Sequence, residues 1–185
     1  FETLHVQKIY ESIAPFFQHT RTYVWDWIPC FIKQFPGSST ICDIGCGSGR
    51  NMLSNHCKFV GIDNCQNLLQ ICASQGHEVL LSDMCALPLK NNSMDGILCI
   101  ASFHHLATIA RRQQSLKEMW RILKPGGKIL LSVWSINQPK KTRRVFTNYG
   151  DTMVSWNQRG EIYMRYYYVF RINEIKDLII DAGFW

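Results

Sequence analysis

Between residues 40 and 50 the chain reads TICDIGCGSGR, and nothing else in it narrows the fold as much. An apolar run reaches an acid, Asp43, and is followed by Gly45, Gly47 and Gly49 at alternate positions. This is the form of a buried strand ending in a turn that needs positive φ and close approach of backbone to a ligand. A P-loop would require Gly-Lys-Ser/Thr after a four-residue gap, and the sequence has no such run. A dinucleotide fingerprint begun at Gly45 would need Gly or Ala where Arg50 stands. The turn therefore suits a ligand without a pyrophosphate, and Asp43 suits one with a cationic end.

The flanking segments predict an open α/β sheet around this turn. Leu4, Ile9, Ile13 and Phe16 recur at helical spacing, so residues 2–19 read as an amphipathic helix. A second helix at 28–35 is stopped by Pro36-Gly37, and residues 1–36 together read as a helical lid that includes Arg21. The first strand is 40–44, a short helix is expected from about Arg50, and the second strand, 58–62, ends in Asp63. An acid about 20 residues past the loop is where such sheets present a carboxylate to ribose hydroxyls.

Asn64 is placed to cap the next helix, which ends at Gly76. The third strand, 78–81, leads to Asp83 and Met84, an acid for an adenine amine and a backbone amide for the ring. Residues 94–101 are continuously apolar, as a strand buried on both faces should be, and deliver Ala101, Ser102, His104 and His105 at the carboxyl end, where α/β sheets bind ligands. A helix at 111–123, a Lys-Pro-Gly-Gly turn at 124–127 and a fifth strand at 128–134 follow. Residues 137–158 lack clear periodicity and open a basic insertion, 137–165; the segment 163–169 then leads to a helix at 172–181. The expected architecture is one domain, 1–185, with a mostly parallel sheet in the order 3-2-1-4-5 and helices on both faces.

The net charge of +6 points to an anionic partner, against the alternative of a solvated basic face. Lys140, Lys141, Arg143 and Arg144 concentrate it, with Arg111-Arg112. Eight cysteines occur without a CxxC pair, several inside apolar runs, which argues for free thiols in a reducing compartment and against a zinc site in this chain. The opening residues lack the pattern of an export signal, and no apolar run approaches membrane-spanning length, so a soluble protein of the cytoplasm or nucleus is expected.

The Asp43, Gly45, Gly47, Gly49 pattern resembles motif I of the class I, Rossmann-like methyltransferases, which use S-adenosylmethionine. The segments VQKIYESIAPFF with Arg21 after it, DIGCGSGR, SFHHLAT followed by Arg-Arg, LKPGGKILLSVW, DTMVSW and MRYYYVFR resemble one family within that class. These are the eukaryotic tRNA methyltransferases that esterify 5-carboxymethyluridine at the wobble position. Tyr168 stands where that family carries His, and Ser155 where it carries Pro.

The resemblance implies donor contacts from Asp43, Gly45, Gly47, Asp63, Asp83, Met84 and Ala101. It implies a tRNA anticodon stem-loop as substrate, a small zinc-binding activator subunit paired with one sheet edge, and two further strands after residue 183. A carboxylate acceptor calls for cations or neutral donors, and Arg21, His105, Arg111, Arg165 and Tyr166 are the candidate catalytic residues, with His104, Arg112 and Trp134 near them. A small-molecule methyltransferase and a non-catalytic RNA-binding scaffold are the alternatives.

Overall fold

Five parallel strands carry the apolar runs in a computed structural model that describes residues 1–17, 23–52, 55–138 and 145–184. They are β1 (Thr40–Ile44), β2 (Lys58–Asp63), β3 (Val79–Leu81), β4 (Met94–Ile100) and β5 (Leu123–Ser132), in the order β3-β2-β1-β4-β5. Neighbours pair in parallel register, Asp43 lying opposite both Gly61 and Leu98. This is the Rossmann-like class I sheet that the sequence predicts.

Alternation along the central strands explains why both faces need helices. Ile41, Leu98 and Ile100 pack on Ile28, Phe31 and Ile32 of α2 (Trp27–Ile32). On the opposite face, Cys42, Ile44, Ile97 and Cys99 meet Leu116, Met119 and Ile122 of α4 (Ile109–Ile122) and Ile175 and Leu178 of α5 (Ile172–Asp181). Each fully buried aliphatic side chain here contributes roughly 1.5–3 kcal/mol. Cys42, Cys46, Cys57, Cys65, Cys72 and Cys99 are buried as small apolar groups, as expected of free thiols.

The amino-terminal segment crosses the carboxyl ends of the strands. A π-helical turn (Thr3–Gln7) runs into α1 (Lys8–Phe17), which buries Ile13 and Ala14. Both carboxylate oxygens of Glu11 accept from the first amides of α3 (Gln66–Ser74), Gln66 N at 2.6 Å and Asn67 N at 2.9 Å. The cap expected from Asn64 is therefore supplied from another helix; the N-cap position is Cys65, which makes no side-chain cap bond. At the other end, Glu2 accepts from Ala107 N at 2.6 Å.

Three further expectations change. The helix expected from about Arg50 is a turn over residues 47–51. Residues 53 and 54 lie outside the described residues; beyond them His56 bonds to Phe35 O and Cys57 to Pro36 O, which holds the approach to β2 against the segment after α2. The Lys-Pro-Gly-Gly stretch lies within β5 as an irregularity: Leu123 already pairs with Met94, and pairing resumes with Lys128 opposite Gly96.

Much of the described part of the supposed irregular insertion is β6 (Gly150–Gln158), paired antiparallel with β7 (Glu161–Val169) as a separate two-stranded sheet. Thr152, Val154 and Trp156 turn inward while Met153, Ser155 and Asn157 face out, a two-residue period that the polar content conceals. Lys140, Lys141, Arg143 and Arg144, like Arg21, lie outside the described residues. Among the described residues no helix is long and apolar enough to cross a membrane.

Candidate active site

A cavity of about 450 Å³ opens at the carboxyl ends of β1, β2 and β4, beneath α1. Its floor is the glycine turn. Gly45 has φ +74°, and a Cβ there would lie 2.3 Å from Ser102 Cβ, so only glycine lets the tips of β1 and β4 come this close. Ser102 Oγ donates to Ile44 O at 2.9 Å and fixes the same contact. Ala101, at φ +53°, takes an unfavourable backbone conformation on the cavity wall, held by Ser132 O and Oγ.

Gly45, Gly47, Asp63, Asp83, Met84 and Ala101 all line this cavity. Asp63 Oδ2 accepts from Gly47 N and Oδ1 from Cys65 N, both at 2.9 Å, so the acid at the end of β2 braces the glycine turn and the start of α3. Burial raises its carboxyl pKa, with the Cys65, Gly47 and Asn64 amides opposing. At the opposite end, Asp83 Oδ1 accepts from Cys85 N at 2.8 Å and Oδ2 from Arg111 Nη2 at 2.6 Å, while Arg111 Nε donates to Glu2 at 2.8 Å. Burial pushes Asp83 up, but the Cys85 amide and Arg111 outweigh it and hold the carboxyl below its ordinary value.

Asp43 is placed differently from its neighbours. It is wholly buried behind the turn, off the cavity wall, and neither oxygen has a hydrogen bond of good geometry. Burial pushes its pKa up to about 7; the Asn51 amide and Arg50 pull it down, and Asp63 adds to the rise.

The residues expected at the acceptor end divide into two sets. His105 lines the cavity, whereas His104 is buried and stacked on Tyr167, centroids 4.7 Å apart and planes 15° apart. His105 Nδ1 donates to Tyr166 O at 2.7 Å, which leaves Nε2 to accept from the Tyr10 hydroxyl at 3.0 Å. Burial lowers the His105 pKa to about 4, the Tyr166 carbonyl opposing and Arg165 assisting. The ring is therefore neutral at physiological pH.

Arg165 and Tyr166 lie buried behind the wall. Arg165 Nη1 donates to Tyr10 Oη at 3.2 Å, and its Nε and Nη2 have no hydrogen-bond partner among the described residues. Tyr166 holds His105 through its carbonyl and donates its own hydroxyl to Asp151 at 2.6 Å. Arg112 faces away from the cavity: it donates to Leu106 O and Ala107 O and lies 3.4 Å from the Tyr168 ring centroid. Tyr10 and Tyr167 are wall residues that sequence reasoning did not assign to the site; their helical and strand patterns look the same as core packing.

The wall fits S-adenosylmethionine. The buried Asp43 carboxyl, with no hydrogen bond of good geometry, sits behind the glycine turn and would supply a countercharge to a sulfonium or ammonium end. Two strand-end acids, Asp63 and Asp83, stand on the wall, and Ile44, Leu68 and Leu106 give apolar cover for an adenine. Among the described residues no group of three His, Cys, Asp or Glu could hold a metal ion.

Residues 42–131 match a family model described as a methyltransferase domain. The tRNA (carboxymethyluridine(34)-5-O)-methyltransferase of Schizosaccharomyces pombe is 34% identical over 206 residues, which cover 99% of this chain and 90% of that protein. The Arabidopsis thaliana protein of the same name is 38% identical over 138 residues, 74% of this chain and 34% of its own, so this chain spans about a third of that relative's length. Among solved structures, a Haloferax volcanii methyltransferase in complex with the Trm112 methyltransferase activator superposes with a TM-score of 0.68 at 18% identity, over 96% of this chain and 70% of that one. The last likeness is one of fold. Matched over nearly the whole of the S. pombe protein and built around a cavity suited to the donor, the chain belongs to the family of the tRNA (carboxymethyluridine(34)-5-O)-methyltransferases, which are S-adenosylmethionine-dependent and of the class I fold.

Proposed function

We propose that the protein transfers the methyl group of S-adenosylmethionine to the carboxylate of 5-carboxymethyluridine at the wobble position of a tRNA anticodon, forming the methyl ester. One observation carries this reading. Arg165 is a fully buried guanidinium with no carboxylate within 4.0 Å among the described residues, joined through the Tyr10 hydroxyl to a neutral His105. A buried cation without an acid is costly, and the positive potential it lends the wall in front of it favours an anionic acceptor in the cavity. An amine acceptor would meet the same charge unfavourably.

A carboxylate is ionised at neutral pH and needs no base, so the chain's work is alignment and exclusion of water. S-adenosylmethionine, when bound, supplies the methyl group on a positively charged sulfur. Asp43, once ionised, places a countercharge behind that end of the cavity. Tyr10 accepts from Arg165 and donates to His105, which fixes its hydroxyl on the wall without adding a second cation. The rings of Trp134 and Tyr167, also on the wall, give a uracil flat apolar surfaces.

A small zinc-binding activator subunit is the proposed partner. The outer edge of β3, paired among the described residues only with β2 and carrying Leu80 and Leu81 at 36% and 57% exposure, suits pairing by strand addition. That a Haloferax volcanii protein of the same fold was solved in complex with a methyltransferase activator supports a partner of this kind. A tRNA substrate and free thiols accord with the cytoplasm or nucleus as the site of action.

The test is transfer of a radiolabelled methyl group to total tRNA, with and without the activator, followed by nucleoside analysis. The expected product is a methyl ester on the wobble uridine that mild alkali removes. An alkali-stable label, or label only on small molecules, overturns the reading.

A further inference from the structure

Two indoles form a stack at the edge of the cavity. Trp25 lines the cavity wall, and its ring lies against that of Trp27, centroids 5.5 Å apart and planes 11° apart. The Arg50 guanidinium stands 4.9 Å from the Trp25 centroid. Trp25 is half-buried, anchored on the apolar cluster of α2, but Trp27 remains 41% exposed and Tyr23 beside it in the chain 61%. Core packing accounts for the inner ring and leaves the outer one unexplained.

A parallel aromatic pair with a guanidinium on it is a surface for another flat, electron-rich ring. Single-stranded RNA offers one at every nucleotide, and base–aromatic stacking tolerates any sequence because every base has a π face. Asp26 lies between the two indoles in the chain and is exposed. Its carboxylate repels a phosphate but can accept from a base amine, which selects a base over the backbone. The chain's net charge of +6 favours a polyanion as the molecule that brings that base.

We propose that the Trp25–Trp27 stack is a nucleobase platform, on which the nucleotide next to the methyl-accepting uridine stacks against Trp27 while the uridine itself passes Trp25 into the cavity. The proposal rests on the RNA reading of the acceptor given above. It assigns Trp27 to substrate positioning, with no part in donor binding.

The experiment compares wild type, Trp27→Ala and Trp27→Phe, with the activator, on an anticodon stem-loop carrying 5-carboxymethyluridine and on the same loop with an abasic nucleotide beside it. Trp27→Ala should raise KM about tenfold, the size of one base–aromatic stack, with kcat and calorimetric S-adenosylmethionine affinity unchanged, and Trp27→Phe should restore most of the loss. The abasic loop should cost wild type the same factor and cost Trp27→Ala nothing more. An unchanged KM in Trp27→Ala, or an abasic penalty that persists in it, overturns the platform while leaving the methyltransferase reading intact. Should Trp27→Ala not fold, the Trp27→Phe variant and the abasic loop on wild type decide the same question. If wild type does not methylate the stem-loop, the proposed function fails and the platform is judged by anisotropy of the labelled loop: about tenfold weaker binding to Trp27→Ala supports it, and equal binding overturns it.

Discussion

The Tyr10 hydroxyl sits 3.0 Å from Nε2 of His105, joining the amino-terminal helix to the tip of β4 across 95 residues of chain. The same oxygen accepts from Arg165, so one phenol connects α1, the loop after β4 and the buried cation of β7.

Removing that phenol should separate catalysis from donor binding. Tyr10→Phe keeps the ring that packs edge-on against Phe17 and His105 and deletes the hydroxyl's hydrogen bonds to His105, Arg165 and Tyr167. A hydrogen bond to a charged group is worth roughly 1.5–3 kcal/mol, so single-turnover methyl transfer should slow by about one to two orders of magnitude. S-adenosylmethionine affinity by calorimetry should change little. Equal losses in both would place Tyr10 on the donor instead.

His105 gives stability a pH dependence of known sign. Its pKa in the fold is lowered to about 4, mainly by burial, from an ordinary value near 6.5. The unfolded chain therefore binds the proton more readily, and the contribution of this residue is present above pH about 6.5 and is lost as pH falls toward 4. Thermal melts of wild type against His105→Asn across this window should converge as the pH drops.

Asp43 has the opposite sign. Burial holds its carboxyl protonated up to about pH 7, so ionising it in the fold costs stability as pH rises from the ordinary carboxylate value toward 7. A cationic ligand recovers that cost. Affinity for S-adenosylmethionine should therefore strengthen as pH rises through about 7, whereas its demethylated product, without the sulfonium, should respond less. In Asp43→Asn the difference between the two ligands should no longer vary with pH.

Glu11→Ala removes an acceptor shared by two amides at the start of α3. Loss of a helix cap costs about 1 kcal/mol, and a melt should record a destabilisation of that order. Because Glu11 also ties α1 across the cavity, stopped-flow release of S-adenosylmethionine should become faster while methyl transfer in the bound state is unaltered.

Gly45→Ala should abolish donor binding. Its φ of +74° is unfavourable for alanine, and the added carbon would lie 2.3 Å from Ser102 Cβ, part of a β4 tip fixed by hydrogen bonds. Gly76→Ala, at a similar φ of +86° but with nothing within 4 Å, is the control: destabilised by backbone strain alone, it should still bind the donor.

The sheet order and the cavity wall could be read from the sequence because local patterns encode them. Apolar runs ending in Asp43, Asp63 and Asp83 mark strand ends whatever else the chain does, and the glycines after Asp43 report the turn directly. The hairpin of β6 and β7 was concealed, since its partners meet only through pairing between strands and its outward residues are polar or long. The roles of the arginines were also concealed. Arg111, Arg112 and Arg165 look alike in sequence, and only the fold separates one tied to Asp83 and Glu2, one spread over Tyr168, and one with no acid beside it among the described residues. That Glu11 rather than Asn64 caps α3 is likewise a matter of which helix passes near, a relation 55 positions apart in the chain.

Glu2 is moored beside β4 and Glu11 beside β2, on opposite banks of the cavity that the intervening residues roof. A nucleoside beneath such a bridge leaves only as fast as one mooring slips. Spent donor should therefore be a lingering guest, and the pace of successive rounds should answer to changes at these two carboxylates, remote from the atoms that exchange the methyl.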